Sequence, residues 1–189
     1  PEKRTAILAA AVEAFTENGF DRTSVAQIVK RAGVAQGTFY LYFESKGHLV
    51  PAIVSFIIEQ FLQRLQSVPE ESVSNPDSLL TTLIDVTFAI TKEQQQLIAF
   101  CYSGMAHFGH ASQWEQIYAP YYQWIRQRLE ALQKDGLVHP ELDPVYTANF
   151  LVGVLEHTAE DHYLFGADPE QTDRVRNELW RFLRRAIQP

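Results

Sequence analysis

The chain has 189 residues, of which 46% are hydrophobic and 21% charged, so it can bury a core and is not intrinsically disordered. Its net charge of −7 argues against a nonspecific nucleic-acid binder, and its length excludes a large multidomain enzyme. No apolar run reaches the roughly 20 residues of a membrane helix, no secretory signal opens the chain, and the single cysteine cannot form an internal disulfide. We therefore expect a cytoplasmic protein.

The charges are unevenly distributed along the chain. Residues 1–49 contain six basic and five acidic residues, a net charge of +1, whereas the other 140 residues contain ten basic and 18 acidic residues, a net charge of −8. This asymmetry predicts two parts that face different partners, and only the N-terminal part would tolerate a polyanion.

The first 49 residues predict three helices. Residues 4–18 have the apolar spacing of one helical face and end before Gly19, which suits a helix C-cap. Thr23 and Ser24 can cap a second helix, which ends at Gly33. After a short turn, residues 36–43 predict a third helix. Two short helices joined by a tight turn and braced by a longer one form a helix-turn-helix.

The remaining residues predict a helical domain. A fourth helix is expected from Ser45 to about residue 66, followed by a surface loop over 67–78, which contains two prolines and several serines. Further helical patterns cover 79–92, 94–108, 112–135, 144–165 and 169–187. Because no strand-like alternation of useful length occurs, the sequence predicts an all-α fold.

Residues 23–50, TSVAQIVKRAGVAQGTFYLYFESKGHLV, resemble the DNA-binding signature of the TetR family of bacterial transcriptional regulators. Several separated features agree with that signature, namely Thr23-Ser24-Val25, Ala32-Gly33-Val34, Gly37-Thr38-Phe39-Tyr40, Tyr42-Phe43 and Lys46. The resemblance implies an N-terminal three-helix helix-turn-helix DNA-binding domain in residues 1–49. It also implies a C-terminal helical domain in residues 50–189, which binds an effector and forms a dimer.

The third helix is expected to read DNA. Phe39 and Phe43 lie one turn apart and would face the core, so Gly37, Thr38 and Leu41 would face outward, with Tyr40 and Tyr42 to either side. Gln36 can pair with adenine in the major groove, and Leu41 can contact a thymine methyl group. The alternatives are a solvated glutamine near the helix start and an ordinary exposed leucine.

Phosphate contacts are expected at two helix starts. Lys46 stands at the start of the fourth helix, where free backbone N–H groups favour an anion, and the resemblance gives this lysine the same role. Thr23 and Ser24 open the second helix, where they can bind phosphate or simply cap the helix.

The C-terminal part is rich in aromatic residues. Such residues usually form a core, but their density exceeds what a small helical domain needs, and TetR-like regulators typically have a ligand cavity between these helices. The candidate ligand-binding residues are Phe88, Phe100, Tyr102, Met105, His107, Trp114, Tyr118, Tyr122, Phe150 and His157. We expect a lipophilic effector that is neutral or cationic.

The histidines leave a metal site open as a weaker alternative. His107 and His110 are three residues apart, with Cys101 upstream, and His157 and Asp161 are four apart. Either pair supplies half of a transition-metal site and neither completes one. The sequence therefore indicates no metal and no other cofactor.

The last two helical patterns are expected to form a homodimer interface. Residues 150–165 are apolar around nearly the whole circumference, which implies burial on two sides, and residues 169–187 have one broad apolar stripe. A twofold dimer also fits the half-sites that helix-turn-helix proteins recognise. The candidate interface residues are Leu155, Val175, Leu179, Phe182, Leu183 and Ala186.

The sequence contains no phosphate-binding glycine loop, GxSxG or HExxH motif, so it predicts no enzyme. We expect a ligand-responsive transcriptional regulator, a repressor that binds a palindromic double-stranded DNA operator as a dimer and is released by a small molecule. An activator of the same fold and a helical ligand-binding or adaptor protein without DNA binding are the alternatives.

Overall fold

The computed structural model describes residues 2–105, 111–166 and 168–189, apart from the side chains of 103–105, 111–113 and 169. The described part of the chain is helical and has no β-strand, which confirms the all-α class. None of its helices is both long and apolar enough to cross a membrane. The helices are α1 (Glu2–Asn18), α2 (Val25–Ala32), α3 (Gln36–Tyr40), α4 (Val50–Ser67), α5 (Pro76–Glu93), α6 (Gln95–Met105), α7 (Ala111–Lys134), α8 (Pro144–Leu164) and α9 (Thr172–Ile187).

The chain forms two compact units. The first comprises Pro1–Ile57 and Gln96–Ile117, and the second comprises Ile58–Gln95 and Tyr118–Pro189. The boundaries between the units fall inside α4, α6 and α7. The division into a DNA-binding domain (1–49) and an effector-binding domain (50–189) concerns function and stays a prediction.

The first unit is built on the predicted helix-turn-helix. Gly19 and Gly33, which follow α1 and α2, both have positive φ angles (76° and 65°), a region that glycine enters without a Cβ penalty. Phe15 of α1, Ile28 of α2 and Phe39 of α3 are completely buried and hold the three helices together.

Aromatic rings extend this core to α6. Phe100 stacks on Phe15 at 4.6 Å between ring centroids and lies 4.4 Å from Phe20. Its neighbour Cys101 is also buried. Phe100 therefore belongs to the apolar core of the first unit, which differs from its predicted role in binding an effector.

The third and fourth helices begin and end at other residues than the sequence predicts. Helix α3 ends at Tyr40, so Leu41 and Tyr42 lie in the turn that follows it. A 3₁₀ turn over Lys46–Leu49 precedes α4, and the Ser45 hydroxyl bonds to His48 Nδ1 (2.9 Å) without capping a helix. Helix α4 begins only at Val50, next to Pro51, a residue that is tolerated in the first turn of a helix.

The predicted loop over 67–78 is shorter than expected. It contains a 3₁₀ turn over Glu70–Val73, and α5 begins at Pro76. Asn75 caps α5, because its side chain accepts a hydrogen bond from the Ser78 N–H (2.9 Å) and its own N–H donates to the Ser78 hydroxyl (3.3 Å). The residues that suggest a loop thus form the start of a helix.

The second unit packs α5 against α8 and α9. Leu79 and Leu83 of α5 are buried with Leu155 of α8 and with Leu179 and Leu183 of α9. Leu155, Leu179 and Leu183 therefore belong to the core of the protomer, whereas the sequence analysis places them in a dimer interface. A third 3₁₀ turn, over Pro169–Gln171, precedes α9.

Candidate functional site

The start of α2 fixes the helix-turn-helix to α1. The Thr23 side chain is 1% exposed, and its hydroxyl donates to the backbone oxygens of Gly19 (2.7 Å) and Ala14 (3.1 Å). This hydroxyl is therefore a structural group and not the expected phosphate ligand. Ser24 is exposed and caps α2 in a reciprocal pair with Gln27, whose N–H donates to the Ser24 hydroxyl (3.2 Å).

Helix α3 presents the surface predicted to read DNA. Gln36, Gly37 and Tyr40 are exposed on it, and Thr38 is half-buried. Leu41 is 81% exposed and Tyr42 is also exposed, both in the turn after the helix. Phe39 and Phe43 are buried with their ring centroids 5.6 Å apart, as the predicted helical wheel requires. The structure thus separates a core face of α3 from an outer face.

Lys46 lies half-buried against the turn between α1 and α2. Its Nζ donates to the backbone oxygens of Phe20 (2.6 Å) and Thr23 (2.8 Å), and it lies 3.8 Å from the centre of the Phe20 ring. Burial lowers the pKa of this ammonium, and the charge of Asp21 opposes that effect. Through these contacts Lys46 stabilises the helix-turn-helix, a role that the sequence analysis did not assign to it.

The predicted ligand-binding residues fall into different environments. Phe88 is buried in the second unit, where its ring lies edge-on to Tyr163 at 5.9 Å. Tyr102 is exposed and Trp114 is half-buried in the first unit, while Phe150 and His157 are exposed on the outside of α8. His107 lies outside the described residues, and Met105 is described as part of α6 without its side chain.

Two of the predicted ligand-binding residues do lie together. The rings of Tyr118 and Tyr122 on α7 stack with 5.5 Å between centroids, and the Tyr118 hydroxyl donates to Glu156 Oε2 on α8 (3.2 Å). All three side chains are half-buried. The sequence analysis missed Glu156, although a carboxyl within the apolar segment 150–165 is a signal that could have identified it.

The outside of α8 and α9 carries exposed apolar side chains. Tyr146 and Phe150 on α8 are 62% and 68% exposed, and Phe182 on α9 is 61% exposed. A groove of about 390 Å³ runs between the two helices, with Val154, Val175 and Phe182 among its lining residues. Of the predicted interface residues, Phe182 and Ala186 are exposed and Val175 is half-buried at this surface. Tyr146 is an addition that the sequence analysis missed.

The His157–Asp161 pair belongs to no metal site among the residues that the structure describes. No three His, Cys, Asp or Glu side chains come together there with the geometry of metal ligands. His110, like His107, lies outside the described residues.

The buried contacts that hold α1, α2 and α3 together and the exposed outer face of α3 are the features of a helix-turn-helix DNA-binding protein. Residues 7–53 match the family model described as "Bacterial regulatory proteins, tetR family", and residues 80–187 match "Tetracyclin repressor-like, C-terminal domain". The chain therefore belongs to the TetR family of bacterial transcriptional regulators, whose members are regulators and not enzymes.

Three similar proteins cover between 79% and 96% of the chain. It is 36% identical over 183 residues to the uncharacterized HTH-type transcriptional regulator YvdT of Bacillus subtilis, covering 96% of this chain and 93% of that protein. It is 28% identical over 149 residues to the HTH-type transcriptional regulator UidR of Escherichia coli, covering 79% and 76%. The solved structure of the transcriptional regulator FadR from Bacillus subtilis in complex with stearoyl-CoA has a TM-score of 0.71 and 22% identity, covering 95% and 97%.

Proposed function

We propose that this TetR-family regulator is a repressor, which binds a palindromic operator as a homodimer and leaves it when a small lipophilic effector binds to the helical domain. The observation that carries the proposal is the exposed face formed by α3 and the turn that follows it. Gln36 offers a paired donor and acceptor, Gly37 lets the backbone approach closely, and Leu41 is an apolar side chain exposed to solvent. A major groove offers partners for each of these features.

The outer face of α8 and α9 supports the homodimer. Phe150 and Phe182 would lose apolar surface to water when a second copy packs on this face, which favours association. A twofold dimer brings one α3 to each half-site, and operators of such dimers are inverted repeats whose half-sites lie about one helical turn of DNA apart.

The helical domain supports control by an effector. FadR was solved with stearoyl-CoA, so a protein of this fold can hold a long-chain ligand. In the present chain the Tyr118–Tyr122 pair offers partly exposed aromatic surface of the kind that lines ligand sites. A regulator of the bacterial chromosome acts in the cytoplasm, which is the compartment we propose.

Selection of bound duplexes from a random-sequence pool tests the DNA-binding part. The full-length protein should enrich an inverted repeat, and its affinity for that duplex should fall steeply with salt because lysine and arginine contacts release counterions from the phosphates. A matched chain carrying both Gln36→Ala and Leu41→Ala is the control for enrichment through the reading face. Failure of the wild-type protein to enrich any sequence would overturn the proposal and favour a helical ligand-binding protein.

A reporter strain distinguishes a repressor from an activator. The selected operator is placed across the promoter of a reporter gene in a heterologous bacterium, and the regulator is expressed from a separate inducible promoter. A repressor lowers reporter output because it blocks the promoter, whereas a rise in output would assign the protein to the activators. The Gln36→Ala, Leu41→Ala chain should leave the output unchanged.

A further inference from the structure

The carboxyl group of Glu156 lies among aromatic rings of the second unit. Tyr118 bonds to Glu156 and stacks on Tyr122, and the ring of Tyr121 packs parallel to that of Tyr122 with 6.5 Å between centroids. Tyr118, Tyr122 and Glu156 are half-buried, so solvent reaches them, whereas Tyr121 is completely buried. The Tyr121 hydroxyl has no hydrogen-bond partner at bonding distance among the described residues, although Thr87 lies beside it. A buried hydroxyl without a hydrogen bond costs free energy, and a bond to a ligand or a water molecule can remove that cost.

The carboxyl of Glu156 lies in surroundings that disfavour its charge. Burial and the neighbouring charge of Glu160 raise the pKa of Glu156 to about 8, although the hydrogen bond from Tyr118 favours the charged form. The other titratable groups that act on it are Tyr121 and Tyr122 of α7, whose pKa values are also raised by burial and by the Glu156 charge. None of the described basic side chains forms an ion pair with Glu156. Glu156 therefore has no positively charged partner among the described side chains.

We propose that Tyr118, Tyr122 and Glu156 bind the cationic head group of a lipophilic effector, such as a quaternary ammonium. The proposal rests on the function proposed above and specifies the chemistry of its effector. A cation is attracted by a negatively polarised ring face that the stacking leaves uncovered, and the carboxylate neutralises it. Tyr118 holds the carboxylate in place by donating its hydroxyl hydrogen.

The same geometry disfavours an anionic effector. Two carboxyl groups, Glu156 and Glu160, interact at this position, and the chain beyond residue 49 has a net charge of −8. A carboxylate or phosphate brought to Tyr118 would be repelled by the charge of Glu160 and would gain no ion pair from Glu156, which is mainly protonated at neutral pH. The chemistry at this position therefore differs from that needed for the anionic groups of an acyl-CoA.

Binding of a cation should release a proton from the protein. At neutral pH Glu156 is mainly protonated, and a cation beside it favours the carboxylate, so the proton leaves when the ligand enters. The affinity for the cation should then rise about tenfold per pH unit below the pKa of Glu156 and level off above it, as linkage requires. A quaternary ammonium carries no titratable proton, so any released proton comes from the protein.

Isothermal titration calorimetry of the full-length protein with decyltrimethylammonium tests the proposal. Titrations at pH 7 in two buffers of different ionisation enthalpy give the number of protons released, and we expect close to one per site. Glu156→Gln should abolish the proton release and weaken binding at least tenfold at pH 9. Glu141→Gln, which removes the same charge at an exposed position, is the matched control and should behave as the wild type.

The ligand series provides a test that does not depend on any variant. Decanoate and 1-decanol have the same alkyl chain as the ammonium probe, so the difference in affinity reports the head group. The cation should bind at least tenfold more tightly than either. Equal or tighter binding of decanoate, or binding of the ammonium without proton release from the wild-type protein, would overturn the proposal.

A parallel assay of operator release separates this proposal from the proposed function. If the protein selects no operator, the proposed regulator fails, while the calorimetry still decides the cation site. If the ammonium binds with proton release but leaves operator affinity unchanged, the cation site stands and its role as the effector site is overturned. Release of the operator by the ammonium from the wild type but not from Glu156→Gln supports both.

Discussion

At the scale of single residues, the structure distinguishes side chains that can read a base from side chains that hold the fold. Gln36 is exposed at the first position of α3, where its amide side chain is open to solvent. The Thr23 hydroxyl, by contrast, donates to two backbone oxygens at the end of α1. Different positions of one motif thus serve different purposes.

Gln36→Ala should relax base preference at one position in each half-site. The lost contact is one amide side chain to one base, so the preferred base should lose roughly 1 to 3 kcal/mol of its advantage there, while other positions keep theirs. Competition binding with single-substituted operator duplexes measures this. Thr16→Ala, at an exposed position on α1, is the control. A uniform loss across all duplexes would show that Gln36 contacts the backbone instead.

Lys46→Ala should weaken binding to all sequences alike and also lower the melting temperature. Removing the ammonium leaves the oxygens of Phe20 and Thr23 without this donor, and it removes one positive charge from the helix-turn-helix. If that charge contacts a phosphate, the dependence of log affinity on log salt should fall by about one ion per protomer. Lys30→Ala, at an exposed position on α2, controls for charge alone. A lower melting temperature with an unchanged salt dependence would give Lys46 a purely structural role.

Glu156 should make the protein less stable as the pH rises. Its pKa is near 8 in the folded chain and near 4.5 when exposed, so the folded state holds the proton more strongly between these values. Its favourable contribution is therefore complete below pH 4.5 and is lost as the pH rises through 8. Thermal unfolding from pH 5 to pH 9 should show the wild type losing stability relative to Glu156→Gln. A constant difference across this range would contradict the raised pKa.

At the scale of helices, the apolar stripe of α9 has a buried edge and an exposed edge. Leu179 and Leu183 are buried in the protomer, whereas Phe182 and Ala186 are exposed along the neighbouring edge of the same stripe. The buried edge therefore holds the second unit together, and the exposed edge is available for the second copy proposed above.

Phe182→Arg should dissociate the dimer and leave the protomer folded. A charge at the centre of an apolar interface must be desolvated without a partner, which should cost several kcal/mol of association. Sedimentation equilibrium gives the mass, and circular dichroism gives the helix content. Asn177→Arg, an exposed α9 position that lines a cleft with Asp85 and Trp180, adds the same charge elsewhere and should stay dimeric.

Leu183→Arg places the same charge at a buried position of α9, for comparison with Phe182→Arg. Because Leu183 is 3% exposed in the protomer, the charge would enter the core and unfold the second unit. A folded monomer from Leu183→Arg, or an intact dimer from Phe182→Arg, would contradict this division of α9.

The helices were predictable to the extent that caps and periodicity mark them. Gly19 and Gly33 indicate where α1 and α2 end, and the positions of Phe39 and Phe43 predict which side of α3 is buried. The 67–78 segment was less predictable, because Asn75 and Pro76 are equally typical of a loop and of a helix start.

The buried and exposed edges of the apolar stripe on α9 could not be distinguished from sequence. Leu179, Phe182 and Leu183 fall within one broad apolar stripe, and periodicity gives the width of such a stripe but not which edge faces a partner. Lys46 illustrates the same limit at a single position, since its backbone acceptors Phe20 and Thr23 are distant in sequence and only the tertiary fold brings them to it. Glu156 stands out in sequence as a carboxyl within an apolar segment, but its contact with Tyr118 of α7 follows only from the tertiary fold.

At the scale of the whole molecule, an effector and the operator must influence each other equally. An effector that weakens operator binding tenfold must itself bind about tenfold more weakly to the operator complex, a coupling of about 1.4 kcal/mol. Calorimetric titration of decyltrimethylammonium into free and operator-bound protein measures both affinities. Equal affinity in the two states would exclude this compound as an inducer.

The buried position of Cys101 makes the two reading helices accessible to distance measurement. It is the only cysteine in the sequence, and a side chain that is 5% exposed reacts slowly with thiol reagents. A Leu41→Cys chain would therefore accept a fluorophore or spin label at one place per protomer, with no need for a cysteine-free background. In a homodimer the two labels would report the separation of the two α3 helices directly, so the geometry that matches successive major grooves could be followed in solution while ligand is added.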